Sequence, residues 1–424
     1  MVKKIGLLVA GLMVLLGLMA CSSDESSGKS GGGGDGDVTL TMWAFPGMGL
    51  DSKIEQYMEE NPNVKIEVQE ADYNNHHQNL ITALGAGSGA PDIAVIESAF
   101  IERLKENQDQ FYNLNDYGAE DIKDDYLEWR WREASSVDGS FVLGVPTDVG
   151  PMAMAYRTDL FEEAGLPTEP EEVDAAFATW EDYIEAGRQL KEATGSYMFN
   201  LSSDLFTVIR EQATEQYFDE NGELIIEESE QIAKAWDLTV GATDIQANIE
   251  REETEWGAAI ANGDIATVFL PPWMLQQIKD NGPDTSGLWN VAQIPEASGN
   301  WGGSLLSVPK QSDKPQEAYD FISWLMSPEN QLDIFKEKGN FPSTPEVYQD
   351  EELQSYSDEF FTRDDLGSMF AEAAERVEYV YRSPDTSTIN TIMGDALASI
   401  SDNGVDPDKA WDEAMKEIDR QTSR

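Results

Sequence analysis

The chain has one cysteine, Cys21, and two histidines, His76 and His77, in 424 residues. A disulfide within the chain is therefore impossible, a zinc site of Cys and His ligands has too few donors, and a histidine-dependent nucleophilic triad has one place to form. Positive charge is scarce as well: 28 Lys and Arg stand against 81 Asp and Glu, a formal net charge of −53. Binding phosphate backbones takes clustered cations that displace counterions, so a nucleic-acid binder is excluded and an anionic lipid surface or anionic substrate is disfavoured. No tandem repeat with a period of about 20 to 50 residues is present. The chain does hold core-forming material, being 40% hydrophobic and 10% aromatic, which an acidic disordered segment lacks. Its length suggests two or three domains at roughly 100 to 200 residues each.

A long apolar run occurs once, at the start. Lys3 and Lys4 precede the uncharged stretch from Ile5 to Ala20, which matches the charged and apolar regions of a signal peptide and is shorter than the ~20 residues a membrane span requires. It ends Leu18-Met19-Ala20-Cys21, which resembles a bacterial lipobox with Met19 where a small residue is usual. The resemblance implies that residues 1–20 are removed and that Cys21 is acylated, palmitate being the expected chain. Residues 21–37 then comprise the lipidated Cys and a flexible linker, because SSDESSGKSGGGGDGD at positions 22–37 has no apolar residue. The expectation is a body tethered to the outer face of a bacterial membrane, kept soluble and monomeric by its acidic surface.

That body opens with strands alternating with helices. Val38 to Phe45 alternates apolar and polar residues as a half-buried strand does, and Leu50, Ile54, Tyr57 and Met58 recur at helical spacing. Val64 to Val68 alternates again, Leu80, Ile81 and Leu84 mark a second helix, and Asp92 to Ile96 is continuously apolar, as a strand covered on both faces is. This βαβαβ order predicts a parallel sheet with right-handed crossovers and a ligand at the carboxyl ends of its strands. Val137 to Phe141 predicts a tight turn, and Gly144 to Tyr156 a passage between two lobes. Thr179 predicts a helix cap before Trp180. The Asn221-Gly222 pair predicts a hairpin rather than a calcium loop, its glycine lying four positions into the run instead of six.

The ordered set of segments resembles a family. LTMWAF at Leu40 to Phe45 and PDI at Pro91 to Ile93 come first, followed by VDGSFVLGVPTDVGPMAMAYRTDLFEEAG at Val137 to Gly165 and WEDYIEAG at Trp180 to Gly187. GDIATVFLPPWM at Gly263 to Met274, WGGSLLSVPK at Trp301 to Lys310 and EAYDFISWLMSPENQ at Glu317 to Gln331 complete it. Together they are similar to the extracellular solute-binding lipoproteins of bacterial ABC sugar importers, in the carbohydrate-binding branch with the maltose- and arabino-oligosaccharide-binding proteins. The resemblance implies an α/β, two-lobed periplasmic-binding-protein fold of the type II-like kind, each lobe a mainly parallel sheet flanked by helices. It places lobe 1 at 38–149 plus 292–312 and lobe 2 at 150–291 plus 313–424, with hinge crossings near Asp148 to Met152, Val291 to Pro295 and Lys310 to Pro315. It implies a carbohydrate ligand and the transmembrane subunits of a permease as partners, with no cofactor, no metal and no catalysis.

Sugars are bound by flat apolar faces against ring C–H groups and by carboxylates and amides at hydroxyls. Trp43 and Phe45 end the first strand, Trp273 follows Pro271-Pro272, and Trp301 lies between Asn300 and Gly302-Gly303, where Gly302 leaves the backbone open to a ligand. Glu97 after the third strand and Asp148 at the first crossing are the candidate hydroxyl acceptors, and Arg382 lies on a late loop within reach of the cleft. His76 and His77 are read as a solvated rim of the first lobe. Core packing competes for each aromatic and is the reading for Trp180, Trp236, Trp324 and Trp411, which lie on amphipathic helical stripes. Two other functions stay open: the same fold holding a polyamine or peptide, and a secreted glycoside hydrolase, although no carboxylate pair of the kind that flanks a glycosidic bond stands out.

Overall fold

A computed structural model describes residues 37–251 and 254–422, so the signal-peptide, linker and Cys21 expectations lie outside the described residues. The first strand, β1 (Val38–Ala44), buries Leu40, Met42 and Ala44 on one face, the alternation its sequence predicts. The helix Asp51–Glu60 carries the chain over to β2 (Val64–Glu70), and the helix Tyr73–Ala86, capped by Asp72, carries it to β3 (Ile93–Glu97). Both β2 and β3 pair parallel to β1, with Met42 opposite Val68 and Ile93. The predicted βαβαβ unit is thus present.

Two further strands complete this sheet, and one of them, β8 (Ser304–Ser307), runs against the rest. β4 (Gly144–Pro146) and β3 both pair antiparallel with β8, giving the order β2-β1-β3-β8-β4. A second sheet has β5 (Ala153–Arg157) at its centre, between β6 (Thr267–Leu270) and β7 (Trp289–Gln293), antiparallel throughout. The first sheet is thus mainly parallel in strand direction, with β8 alone opposed, and a mainly parallel sheet is corrected for the second lobe, where both pairings are antiparallel. Of the other strands, β5 and β8 enter through crossings between the sheets, while β6 and β7 are reached through helices and still run antiparallel to β5.

The chain passes from β4 to β5 through residues 147–152 and from β7 back to β8 through residues 294–303, and these two crossings are bonded to each other. Thr147 N–H donates to Ser304 O at 2.9 Å, Trp301 N–H to Gly150 O at 2.8 Å and Met152 N–H to Gly299 O at 3.0 Å. A Cβ on Gly150 would lie 2.1 Å from the Trp301 carbonyl oxygen, so the approach requires glycine.

The third crossing lies elsewhere than near Lys310 to Pro315. Ser312 donates to Asp92, and the helix Pro315–Leu325 buries Ala318, Phe321, Ile322 and Leu325 in the cluster that contains Leu40 and Met42. The first lobe therefore continues past position 312, and the chain rejoins the second lobe's core at Leu332, Phe335 and Phe341. Likewise Ala292 and Gln293 belong to β7 in the second sheet. Trp180 and Trp236 are buried in the large cluster of the second lobe, with Trp411 packed on it, and Trp324 packs on the first-lobe cluster, all in line with their helical stripes. Thr179 forms a capping box with Asp182. Among the described residues no helix is long and apolar enough to cross a membrane.

Candidate functional site

Between the two sheets lies a cavity of about 320 Å³, lined from both lobes. The first lobe supplies Tyr73, Glu97, Ser98 and Glu102. The second supplies Phe206, Arg210 and Glu211 from the helix Ser202–Glu211, with Arg382, Thr386 and Asn390 from the C-terminal part of the chain. Asn300, Trp301 and Gly302, on the crossing from β7 to β8, form the wall where the lobes join.

Glu97 is held by its own element boundary. As the last residue of β3 it caps the helix Ser98–Lys105, accepting from Ala99 N–H at 2.8 Å and from the Ser98 hydroxyl at 2.7 Å. The Tyr73 hydroxyl donates to the same carboxylate at 2.6 Å. Burial, and next the negative charge of Glu97, push the Tyr73 phenol well above its ordinary value, so it stays a donor. A carboxylate has about four acceptor positions, so three bonds leave one on Oε1 for a ligand. Gly302 lies beside that atom: with φ at +91°, a Cβ there would stand 3.3 Å from Glu97 Oε1 and 3.4 Å from the Trp273 ring.

His76 and His77 are buried, not the solvated rim predicted for them. Placing them on the inner face of the helix Tyr73–Ala86 turns their ring nitrogens to β3, where His76 Nε2 meets Val95 O at 2.7 Å. The Glu97 backbone N–H donates to His77 Nε2 at 3.1 Å, so the His77 proton sits on Nδ1 and is donated to Tyr73 O at 2.8 Å. The ring stacks on Phe100 with 3.9 Å between centroids. Burial lowers the His77 pKa to about 4, leaving it neutral. His77 thus joins the backbone of Glu97 to the residue that bonds its side chain, a role its histidine-pair sequence gave no sign of.

The other end of the cavity is ionic. Arg382 donates to Glu133, on the first-lobe helix Glu128–Ala134, and to Glu211 at 2.6 Å on the second lobe. Glu133 also pairs with Arg130 at 2.7 Å, and Glu211 with Arg210. Burial opposes the charge of Glu211, yet Arg382 and Arg210 outweigh it and hold the carboxyl below its ordinary value. Nearby, burial raises Glu102 despite its Lys105 partner at 2.6 Å.

The predicted site residues therefore divide. Glu97, Trp301, Gly302 and Arg382 line the cavity together. Trp301 is half-buried, with the Arg251 guanidinium 5.1 Å from its ring centroid. Trp273 stands behind Gly302 and Gly150 rather than in the lining. Two more lie outside the lining: Trp43 packs against the cluster of Leu80, Leu84 and Ile96, and the Phe45 ring meets Tyr73 at 5.4 Å and His77 at 5.6 Å. Asp148 lies outside the lining as well. It is buried, accepts from Ser304 N–H at 3.0 Å and from the Thr147 hydroxyl, and so ties the crossings together. Burial raises its pKa. Among the described residues no cluster of three or more His, Cys, Asp or Glu is placed to hold a metal ion.

Residues 53–362 match the model of the bacterial extracellular solute-binding protein family. An arabinooligosaccharide-binding protein of Bacillus subtilis is 28% identical over 446 aligned positions, covering 98% of this chain and 99% of that one. Its counterpart in Halalkalibacterium halodurans is 28% identical over 310, covering 68% and 67%. Among solved structures, one described as an extracellular solute-binding protein of family 1 superposes with a TM-score of 0.86 at 34% identity, covering 90% of this chain and 99% of its own. A cavity lined from both lobes, a family match over most of the body and this agreement in shape lead to one statement: the chain belongs to the bacterial extracellular solute-binding proteins.

Proposed function

We propose that the protein is the substrate-binding component of an ABC importer, capturing an oligosaccharide between its lobes and delivering it to a membrane permease without chemical change. The observation that carries this reading is the chemistry of the cavity lining. A tryptophan ring, a carboxylate with one acceptor position left, and amide and hydroxyl groups at Asn300, Asn390, Ser383 and Thr386 converge from both lobes. Residues from both lobes are needed if ligand is to favour a closed arrangement, since only differential contact shifts a population. The relatives named for arabino-oligosaccharides point to the same class.

The lining also weighs against a polyamine. Against its three carboxylates, Glu97, Glu102 and Glu211, the lining sets the guanidiniums of Arg210 and Arg382, leaving a single net negative charge. Cys21 is the proposed lipid anchor, holding a monomeric body on the outer face of the membrane. The test is a calorimetric and thermal-shift screen of the purified protein against arabino-oligosaccharides, galactosides, polyamines and short peptides, with product analysis of each hit. Saturable binding of one oligosaccharide series without product formation is expected. Binding confined to polyamines or peptides, or cleavage of a bound sugar, would overturn it.

A further inference from the structure

Tyr381 and Arg382 are consecutive, yet they open onto different spaces. Arg382 lines the cavity of about 320 Å³, while Tyr381 lines a second hollow between the lobes of about 740 Å³. That hollow is walled on one side by Trp131 and Arg132 of the helix Glu128–Ala134 and on the other by Tyr379 and Tyr381. Glu133 follows Arg132 directly, and it is the residue that Arg382 reaches across to. A row of alternating charges, Arg130, Glu133, Arg382, Glu211 and Arg210, therefore stands between the two spaces. The side chains of Glu133 and Glu211 are 8% and 9% exposed.

We propose that Arg382 is the end wall of the ligand cavity and sets the length of oligosaccharide the protein accepts, the second hollow being the space that further sugar units occupy when the wall is withdrawn. The inference rests on the oligosaccharide reading. Its ground is that the Arg382 guanidinium is already bonded to a carboxylate on each lobe. A neutral sugar hydroxyl is a weaker acceptor than either carboxylate, so a ligand abuts this group and does not displace its partners. The space beyond has the surfaces a sugar requires: a half-buried ring at Tyr381, and acceptors at Glu128, Glu220 and Asn221.

Withdrawal of the wall is tolerable to the fold. Without Arg382, Glu133 keeps Arg130 and Glu211 keeps Arg210, so neither buried carboxylate is left unpaired. The two lobes lose a bond between them, and each keeps a compensated pair.

The test is calorimetric titration of the wild type, Arg382→Ala and Glu133→Gln with linear arabino-oligosaccharides graded in length from the dimer upward. The wild type is expected to have a sharp optimum at short length. Arg382→Ala should move the optimum to longer chains, with a gain of roughly tenfold for those beyond the wild-type optimum, and Glu133→Gln should move it the same way by less. If Arg382→Ala does not fold, Glu133→Gln decides, because an amide keeps the shape while removing the charge. Variants that keep the wild-type length optimum and are merely weaker overturn the end wall and leave the oligosaccharide reading standing. A wild type that binds no carbohydrate overturns both.

Discussion

The two ends of the cavity hold their charged groups in opposite ways. At the first-lobe end, Glu97 is fixed by neutral donors, the Tyr73 hydroxyl, the Ser98 hydroxyl and a helix N-terminal N–H. At the other end Arg382 is fixed by two carboxylates, one from each lobe. Neutral donors orient a carboxylate without cancelling its charge, so Glu97 still accepts a bond from a ligand. Opposite charges from both lobes hold the guanidinium between them, so Arg382 links the lobes and bounds the space. A charge lining a cavity is therefore not by itself a binding group, and its partners decide which role it has.

Replacements at Glu97 should weaken binding far more than they weaken the fold. Glu97→Ala is expected to lower oligosaccharide affinity about 100-fold, since a hydrogen bond to a charged group contributes up to about 3 kcal/mol, and titration calorimetry reads this directly. Asp148→Ala should do the reverse. It strips the buried Ser304 N–H of its acceptor and should lower stability by about 2 kcal/mol in denaturant unfolding, with affinity within about twofold. Equal effects of the two variants on affinity would erase the distinction drawn between these carboxylates.

Gly302→Ala is expected to cost less. Its methyl would press on Glu97 Oε1 and the Trp273 ring in a backbone conformation unfavourable to alanine by roughly 1–2 kcal/mol. A roughly tenfold affinity loss with a lower melting temperature is the predicted result, and unchanged affinity would mean that the Oε1 position is not where ligand sits.

The smallest effect on affinity belongs to His77, acting behind Glu97. The unfolded chain protonates this ring near pH 6.5 and the folded chain near pH 4, so the folded state binds fewer protons between these values. Stability should therefore fall as pH drops from about 6.5 to about 4, by at most about 3 kcal/mol from this group. His77→Gln should flatten that part of the melting-temperature profile and lower affinity a few-fold at neutral pH. In a double-mutant cycle its effect on affinity should vanish in the Glu97→Ala background. A persisting effect there would mean that His77 does not act through Glu97.

The first lobe's order was legible because β1, β2 and β3 alternate with helices at strong, regular periods, and the positions flanking β3 led to Glu97. Trp301 and Gly302 were legible from glycine beside an aromatic. The partners of Arg382 were not, since Glu133 lies 249 residues away and Glu211 lies 171 away, within amphipathic helices that resemble any other. Asp148 and Phe45 misled for a related reason. A strand end marks the neighbourhood of a cleft but not the side chain's direction, and Asp148 turns inward to Ser304 while Phe45 turns to His77. The parallel sheet expected in the second lobe failed because helical connections also join antiparallel strands when the chain re-enters a sheet from the other side.

The most direct test is calorimetric titration of a linear arabino-oligosaccharide into the wild type, Glu97→Ala and Trp301→Ala side by side. The account predicts saturable one-to-one binding in the wild type and a loss of at least roughly tenfold in each variant. Binding that survives both substitutions, or no binding of any oligosaccharide by the wild type, would contradict the assignment of this cavity.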